Sequence, residues 1–473
     1  MFEKLLQWLR SRLDTLFGGA AGREIALSGK MENALSLWVQ MYEKGGPWCT
    51  PESGLHSLGI AGAVAGEFAR LVTMELAVTV TGSQRAAYLN TQLQAFLAGL
   101  APRVELACAL GGIVFKPYVS GGRLVVDVTQ ADCFFPTTFD TTGRMTGAIF
   151  SEQIKRRNGI YTRLEHHEFT AGTETVENKA FFSATTASLG SEIPLTDVPE
   201  WADIAPTATI RGVERPLFAY FRIPLANRED RHSPLGMSVF APAAATIRDA
   251  DEQYGRLLWE YEGGELAIDV DAAAIRQNPD GSVDMPKREQ RLFRAQVNGS
   301  MGAGGTLYQA YAPALRDESY RKGLDAMLKR IEFQCGLAYG TLSDPQSVEK
   351  TAEEVRASKQ RSYAAVKAIQ AALQSALDDL LYAMDTYATL YRLAPPGAYQ
   401  AAYDWDDSIL NDPAQRKAMY WDYVQAGKFP CARYLVEFEG YSEAEAAQVT
   451  AEAAAESRSD EALTFGGFGA GGA

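Results

Sequence analysis

Apolar residues recur every three or four positions between Lys350 and Leu393, over about seven helical turns. This apolar stripe consists of Val366, Ile369, Leu373, Leu377, Leu380, Met384, Tyr387 and Tyr391. The pattern predicts a long amphipathic helix that begins near Lys350. A short charged helix, Asp317 to Phe333, precedes it, and a non-helical segment, Gly336 to Pro345, separates the two. This order suits a part that carries a loop far from the body of the protein.

The first half of the chain changes from helical to strand periodicity. Residues from about 54 to 110 follow a helical pattern, and strands are predicted from Ile113 onward. Gly121-Gly122 separates two strand candidates and predicts a hairpin, and Asn158-Gly159 predicts a second one with a type I′ turn. Further strand-like segments lie around 180–182 and 218–223. Helices followed by antiparallel strands predict an α+β fold.

A small β-containing excursion is predicted between two helices. Ser238 to Glu262 follows a helical pattern, and Leu266 to Val270 and Arg291 to Val297 are strand candidates. Helical sequence resumes at Asp317, so the two ends of the excursion are expected to lie close together. Beyond it and the long helix come a strand candidate, Tyr399 to Trp405, and two short helices, about 413–425 and 442–456. The last ten residues are predicted to be disordered.

Composition narrows the function classes. The chain has 473 residues with a net charge of −14, which argues against tight DNA binding through neutralised phosphates. Its five cysteines are far apart and form no C-x-x-C pair, as is typical of reduced cytosolic thiols. No apolar run approaches the length of a membrane span, so no membrane partner is expected. An apolar face on the first helix, which includes Leu5 and Leu9, is assigned to core or subunit packing.

The candidate chemical motifs have structural explanations. His166 and His167 are adjacent in a predicted strand and point to opposite faces, so they cannot easily share a metal ion. Gly302-Ala303-Gly304-Gly305-Thr306 lacks the Gly-Lys-Ser/Thr ending of a phosphate-binding loop and is interpreted as a flexible loop. We therefore expect no metal, no cofactor and no enzymatic activity.

Two aspartate pairs leave one alternative open. Asp378-Asp379 and Asp406-Asp407 are adjacent carboxylates of the kind that a two-metal nuclease uses. The first pair is assigned to a solvated helix surface, and the second pair to turn chemistry before a helix. Cleavage of DNA that depends on a divalent metal and on these aspartates would support the nuclease.

With the order of elements in view, the chain resembles the portal proteins of tailed bacteriophages, of the type found in long-tailed phages of Gram-positive bacteria. Three segments carry the resemblance: Leu235-Gly236-Met237-Ser238-Val239-Phe240, Lys350-Thr351-Ala352-Glu353-Glu354-Val355 with Ser358 and Tyr363, and Tyr403-Asp404-Trp405-Asp406-Asp407-Ser408. Glu353 stands where the family commonly has a second threonine.

The resemblance implies a multi-lobed portal fold with a wing, a helical stem, a β-containing clip and an α-helical crown. The implied parts are the wing at 1–237, stem helices at 238–262 and 317–335, the clip at 263–316, the tunnel loop at 336–349, a long wing helix and strand at 350–410, and the crown at 411–473. It also implies a homo-oligomeric ring, usually a dodecamer, at one capsid vertex of the virion. It further implies that the ring is assembled in the host cytoplasm.

In such a ring double-stranded DNA passes through the channel during packaging and ejection. The implied protein partners are a terminase motor, a head-completion or tail connector protein, and the major capsid and scaffolding proteins. The implied channel residues are Gly336, Gly340, Ser343, Asp344 and Gln346 in the tunnel loop, with Lys350, Lys329 and Arg330 as the basic candidates. For any one stem cation, a solvated or subunit-contact face is favoured over direct phosphate contact about two to one. A capsid shell or head-completion subunit remains an alternative that does not need the loop.

Overall fold

The computed structural model describes Leu5 and residues 25–185, 189–265, 267–271, 279, 293–296, 308–344, 352–405 and 413–453. The chain forms two compact units, Met1–Tyr403 and Asp404–Ala473. The helices are α1 (Gly29–Lys44), α2 (Ile60–Thr73), α3 (Gln84–Leu97), α4 (Leu100–Leu110), α5 (Ala244–Gly263), α6 (Asp317–Cys335), α7 (Ala352–Leu390), α8 (Pro413–Gln425) and α9 (Cys431–Glu439). Residues 443–453 are also helical.

The strands confirm the α+β prediction. They are β1 (Leu76–Thr81), β2 (Gly112–Ser120), β3 (Arg123–Gln130), β4 (Phe134–Phe139), β5 (Met145–Arg156), β6 (Gly159–Thr170), β7 (Thr173–Ser183), β8 (Ser191–Ile193), β9 (Thr207–Arg211), β10 (Ala219–Arg222), β11 (Ala267–Asp271), β12 (Phe293–Gln296), β13 (Tyr308–Tyr311) and β14 (Gln400–Trp405). The largest sheet has the order β4-β5-β6-β7-β8, with β9 also paired to β7. The smaller sheets are β10-β2-β3, β12-β11-β13 and β1-β14.

The long helix α7 holds the central part of the fold together. It has 39 residues, so it is roughly 58 Å long at 1.5 Å per residue. The stripe from Val366 to Met384 is buried, and the helix packs against β2 and β10. Tyr391 departs from the prediction, because it lies beyond the helix end and is 59% exposed.

A single buried arginine secures the end of α7. The side chain of Arg85, on α3, is 1% exposed and donates to Asp385 Oδ1 and Thr389 Oγ1, each at 2.9 Å. It also donates to the carbonyl oxygens of Ala394 at 2.7 Å and Pro395 at 3.2 Å. These acceptors lie at and just after the C-terminus of α7, where helical carbonyls lack partners and cations are favourable.

The two predicted hairpins are present, but one turn differs from the prediction. Gly121 and Gly122 have φ of 55° and 73°, the positive values that a type I′ turn requires. In the second hairpin Gly159 pairs with Arg156, so the turn residues are Arg157 and Asn158, and neither has a positive φ. Gly159 belongs to the strand, where a Cβ atom would lie 2.5 Å from the Ser183 carbonyl oxygen.

Three element boundaries also correct the sequence predictions. β1 interrupts the region predicted as helical, because Val78 and Val80 are buried and the strand pairs with β14. The helix predicted from Ser238 begins at Ala244, since Val239 N donates to Cys108 O and Ser238 turns the chain. Helix α9 was not predicted; its Tyr434 and Phe438 pack against Trp421 and Tyr420 of α8.

A helix that crosses a membrane must be both long and apolar. Among the helices that the structure describes, none alone is long and apolar enough to cross a bilayer. Helices α3 and α4, whose axes are bent by 65° relative to each other, reach that length and apolar character only when they are counted together as one broken span.

Candidate functional site

Helices α5 and α6 form an antiparallel pair that is tied at both ends. Near the start of α5, Thr246 Oγ1 donates to Gln334 Oε1 near the end of α6 at 2.9 Å. At the opposite end, Arg316 binds Glu260 through Nε at 3.1 Å and Nη2 at 2.7 Å, and its backbone N–H donates to Glu260 Oε1 at 3.0 Å. These bonds from Arg316 hold the pKa of Glu260 below its usual value. The segment between Glu260 and Arg316 therefore leaves the helix pair and returns to it at the same end.

The loop after α6 starts at a left-handed residue. Gly336 has a φ of 81°, and the N–H of Leu337 donates to Glu332 O at 2.8 Å, which ends the helix. Leu337 is buried. The chain therefore turns sharply at Gly336, and the burial of Leu337 holds it in place directly after the helix.

Glu332 organises the rest of the described loop. Its Oε1 accepts from the N–H groups of Leu342 at 2.6 Å and Ser343 at 2.8 Å, and Oε2 accepts from the N–H of Gly340 at 3.3 Å. The Ser343 hydroxyl donates to the same carboxylate. A carboxylate in the last turn of a helix is unfavourable to the helix dipole, and these loop donors compensate for it.

Gly336, Gly340 and Ser343, three of the channel residues that the resemblance implies, all take part in this anchored loop. Gly340 adopts a φ of 85° and its N–H is bonded, while Ser343 is 4% exposed. Ser343 therefore positions the loop, because its hydroxyl is held by the Glu332 carboxylate. The sequence contained one signal for the missed residue Glu332, namely an acidic side chain where the helix C-terminus favours a basic one.

A second contact holds the end of the described loop against α6, and it includes Lys329, one of the basic residues predicted to line the channel. Asp344 N donates to Asp325 Oδ1 at 2.9 Å, and Lys329 Nζ pairs with Asp325 Oδ2 at 2.7 Å. Lys329 is thus neutralised within its own helix. Arg330 is exposed. Gln346 and Lys350, the other two candidates, lie outside the described residues.

The carboxylate pair on α7 is not a solvated surface, contrary to the prediction. Asp379 Oδ1 lies 3.0 Å from Arg215 Nη1 and 3.3 Å from Arg144 Nη2, and its side chain is 16% exposed. Burial raises the pKa of Asp379 above its ordinary value even though the two arginines oppose this effect. Asp378 accepts a 2.7 Å hydrogen bond from the Tyr403 hydroxyl. Both carboxylates therefore join α7 to other elements, while Asp406 and Asp407 lie outside the described residues.

The sequence Glu165-His166-His167-Glu168 forms part of a buried ionic cluster. His167 Nδ1 lies 2.9 Å from Glu174 Oε1, and Nε2 lies 2.9 Å from Glu165 Oε1. Lys116 and Arg163 pair with Glu165. Burial lowers the pKa of His167, but the two carboxylates outweigh it and raise the pKa overall. Within the described parts of the chain, no three His, Cys, Asp or Glu side chains are grouped so as to hold a metal ion.

Comparison with known proteins gives one broad match. A family model described as "Phage portal protein, SPP1 Gp6-like" matches residues 104–459. No curated protein matches the chain. Among solved structures, the chain is similar to one from "Neck of native GTA particle computed with C12 symmetry" at 13% identity, with a TM-score of 0.39, covering 86% of this chain and 98% of that chain.

Proposed function

The chain belongs to the SPP1 Gp6-like phage portal protein family, and from this premise we propose that it forms a ring at one capsid vertex that conducts double-stranded DNA. Family membership supports a portal or connector role in the virion. The finer assignments follow from the elements of this chain. We assign α5 and α6 to the stem, 263–316 to the clip, and 336–349 to the tunnel loop.

The observation that carries this proposal is the doubly tied helix pair with its anchored loop. Glu260 and Arg316 close the base of the excursion at one end of the pair, and Glu332 fixes the loop at the other. A stem of this kind can present two contact regions at its opposite ends, one toward tail connector proteins and one toward the DNA. We assign the sheets formed within residues 1–237, together with α7 and β14, to the wing, and residues 411–473 to the crown.

The charges on α6 fit a conduit through which DNA slides. Arg321 pairs with Asp317 at 3.0 Å, Lys322 with Glu318 at 2.8 Å, and Lys329 with Asp325. Each pair is spaced by one helical turn, so these cations carry little unneutralised charge. DNA affinity grows with the number of phosphates that cations neutralise, and an internally paired stem keeps that number low. The remaining proposed partners are the terminase motor, connector, capsid and scaffolding proteins.

The decisive test is the mass and shape of the purified full chain. Analytical ultracentrifugation and negative-stain images should show a ring of roughly 600 kDa, as expected if about twelve copies of the 51.5 kDa chain close by rotation. A monomer that persists at all concentrations, also with scaffolding protein present, would contradict the proposal. Assembly that does not require residues 336–349, together with normal DNA retention after their alteration, would instead favour a shell or head-completion subunit.

A further inference from the structure

A cavity of about 210 Å³ lies between α7, β10 and the loop that precedes β5. Ser375 and Asp379, one helical turn apart on α7, form one wall, and Arg222 on β10 contributes to another. Arg144 and Met145 line the third side, and Phe218 contributes apolar surface. We call this space the Arg222 cavity. It is separate from the loop and stem discussed above.

Positively charged side chains outnumber negatively charged ones in the lining of the cavity. Its lining contains the guanidinium groups of Arg144 and Arg222 but a single carboxylate, Asp379. That carboxylate already contacts two arginines, since Arg215 also binds its Oδ1. The nearby Asp140 is outside the lining, and its Oδ1 accepts from the N–H groups of Thr142 and Arg144. The cavity therefore has an excess of positive charge.

Arg222 is the least satisfied of these cations. Its Nε is buried and has no hydrogen-bond partner among the residues that the structure describes. A buried donor without an acceptor is unfavourable, and a charged one more so. The Ser375 hydroxyl faces the same space from an exposed position on α7. An oxygen-rich anion would supply the acceptors that the chain itself does not provide.

We propose that the Arg222 cavity binds an oxyanion, a phosphate or carboxylate group, through Arg222 and Arg144 with Ser375 as a further donor. Guanidinium groups match the planar geometry of carboxylates and phosphates through paired N–H donors. Two sources share this chemistry: a free phosphate-bearing small molecule, and an acidic side chain of a second copy. The site does not depend on the proposed DNA channel.

The test uses inorganic phosphate and the full chain at constant ionic strength set by chloride. We expect saturable binding by calorimetry and a rise in the unfolding midpoint of the wild type. Arg222→Gln should weaken the affinity about tenfold or more, because a charge-assisted contact is lost. Arg211→Gln, an exposed arginine on β9 outside the lining, is the matched control and should bind as the wild type does.

A second variant keeps the test decisive if Arg222→Gln fails to fold. Ser375→Glu places a carboxylate at an exposed helical position of the cavity wall and should abolish phosphate binding without unfolding the protein. Binding to isolated subunits but not to rings would identify a neighbouring copy as the source, and binding to both would identify a free anion. The proposal is overturned if the wild type binds no phosphate in either state, or if Ser375→Glu binds it normally. Ring formation is read separately by mass.

Discussion

The hydroxyl of Ser343 lies 2.9 Å from Oε2 and 3.1 Å from Oε1 of Glu332, and both residues are buried. This contact joins the last turn of α6 to a residue eleven positions later. Together with the N–H groups of Gly340, Leu342 and Ser343, it makes one carboxylate the centre of the described loop. Helix α6 and residues 336–344 are therefore expected to move as one body.

Glu332→Gln should loosen this loop. The substitution removes the charge and places an amide NH₂ where backbone N–H donors need an acceptor, so we expect a loss of about 3 kcal/mol of unfolding free energy. Hydrogen exchange at the amides of Gly340, Leu342 and Ser343 should accelerate. Glu318→Gln, an exposed acidic position on the same helix, is the control and should leave these amides unchanged. Unchanged protection in Glu332→Gln would refute the anchoring role.

Arg85→Met should destabilise the compact unit Met1–Tyr403 through the end of α7. The substitution retains much of the side-chain volume but leaves the Ala394 and Pro395 carbonyls and the Thr389 hydroxyl without their donor. Loss of a buried cation from such a network costs about 3–5 kcal/mol. Arg85→Lys should be intermediate, since an ammonium group cannot reach all of these acceptors.

Chemical unfolding of the full chain measures the effect of the Arg85 variants. Arg123→Met, at an exposed position that starts β3, is the control and should stay within about 0.5 kcal/mol of the wild type. Equal losses in the two methionine variants would show that Arg85 has no special role.

The contacts of Glu332 and Arg85 illustrate which features of the fold could be predicted from the sequence and which could not. The stripe of α7 and the Gly121-Gly122 hairpin were predictable because both patterns are local. Asp379 was misassigned because its arginine partner Arg215 is 164 positions away, and a helical pattern shows only which positions share a face. Glu332 was missed for a related reason: its acceptor role arises only when the following loop folds back. The positions of helices and strands could therefore be predicted from periodicity, whereas the side-chain contacts that hold them together could not.

The buried cluster around His167 should make stability depend on pH. Because the folded-state pKa of His167 is raised, its contribution is fully present below the unfolded value of about 6.5 and is lost as pH rises through the folded pKa. Burial acts to raise the pKa of Glu165, but Lys116, His167 and Arg163 hold it well below the usual value. Its contribution is present above about pH 4.3 and is lost in acid. Burial, together with the charges of Glu165 and Glu174, raises the pKa of the nearby Tyr387 on α7.

His167→Gln tests this dependence. Near pH 6 it should cost about 3 kcal/mol, because Glu174 loses its buried cationic partner. The difference from the wild type should shrink as pH is raised through the folded-state pKa of His167, where the wild-type histidine loses its charge. Unfolding midpoints across this range provide the measurement, and the exposed His232→Gln is the control. A difference that stays constant with pH would exclude a charged His167.

Asp344→Asn tests whether residues 336–349, the proposed tunnel loop, face DNA. The backbone N–H of Asp344, which donates to Asp325, is retained, so the loop should keep its position while each copy loses one negative charge. If the loop lines the channel, less repulsion of phosphates should strengthen the binding of short DNA duplexes to the ring roughly fivefold, as expected for about 1 kcal/mol of Coulomb repulsion per close contact. Asp203→Asn removes an equal charge from an exposed position before β9, far along the chain from the loop, and serves as the control. Equal DNA affinities in the two variants, at matched salt, would place Asp344 away from the channel even if ring formation is normal.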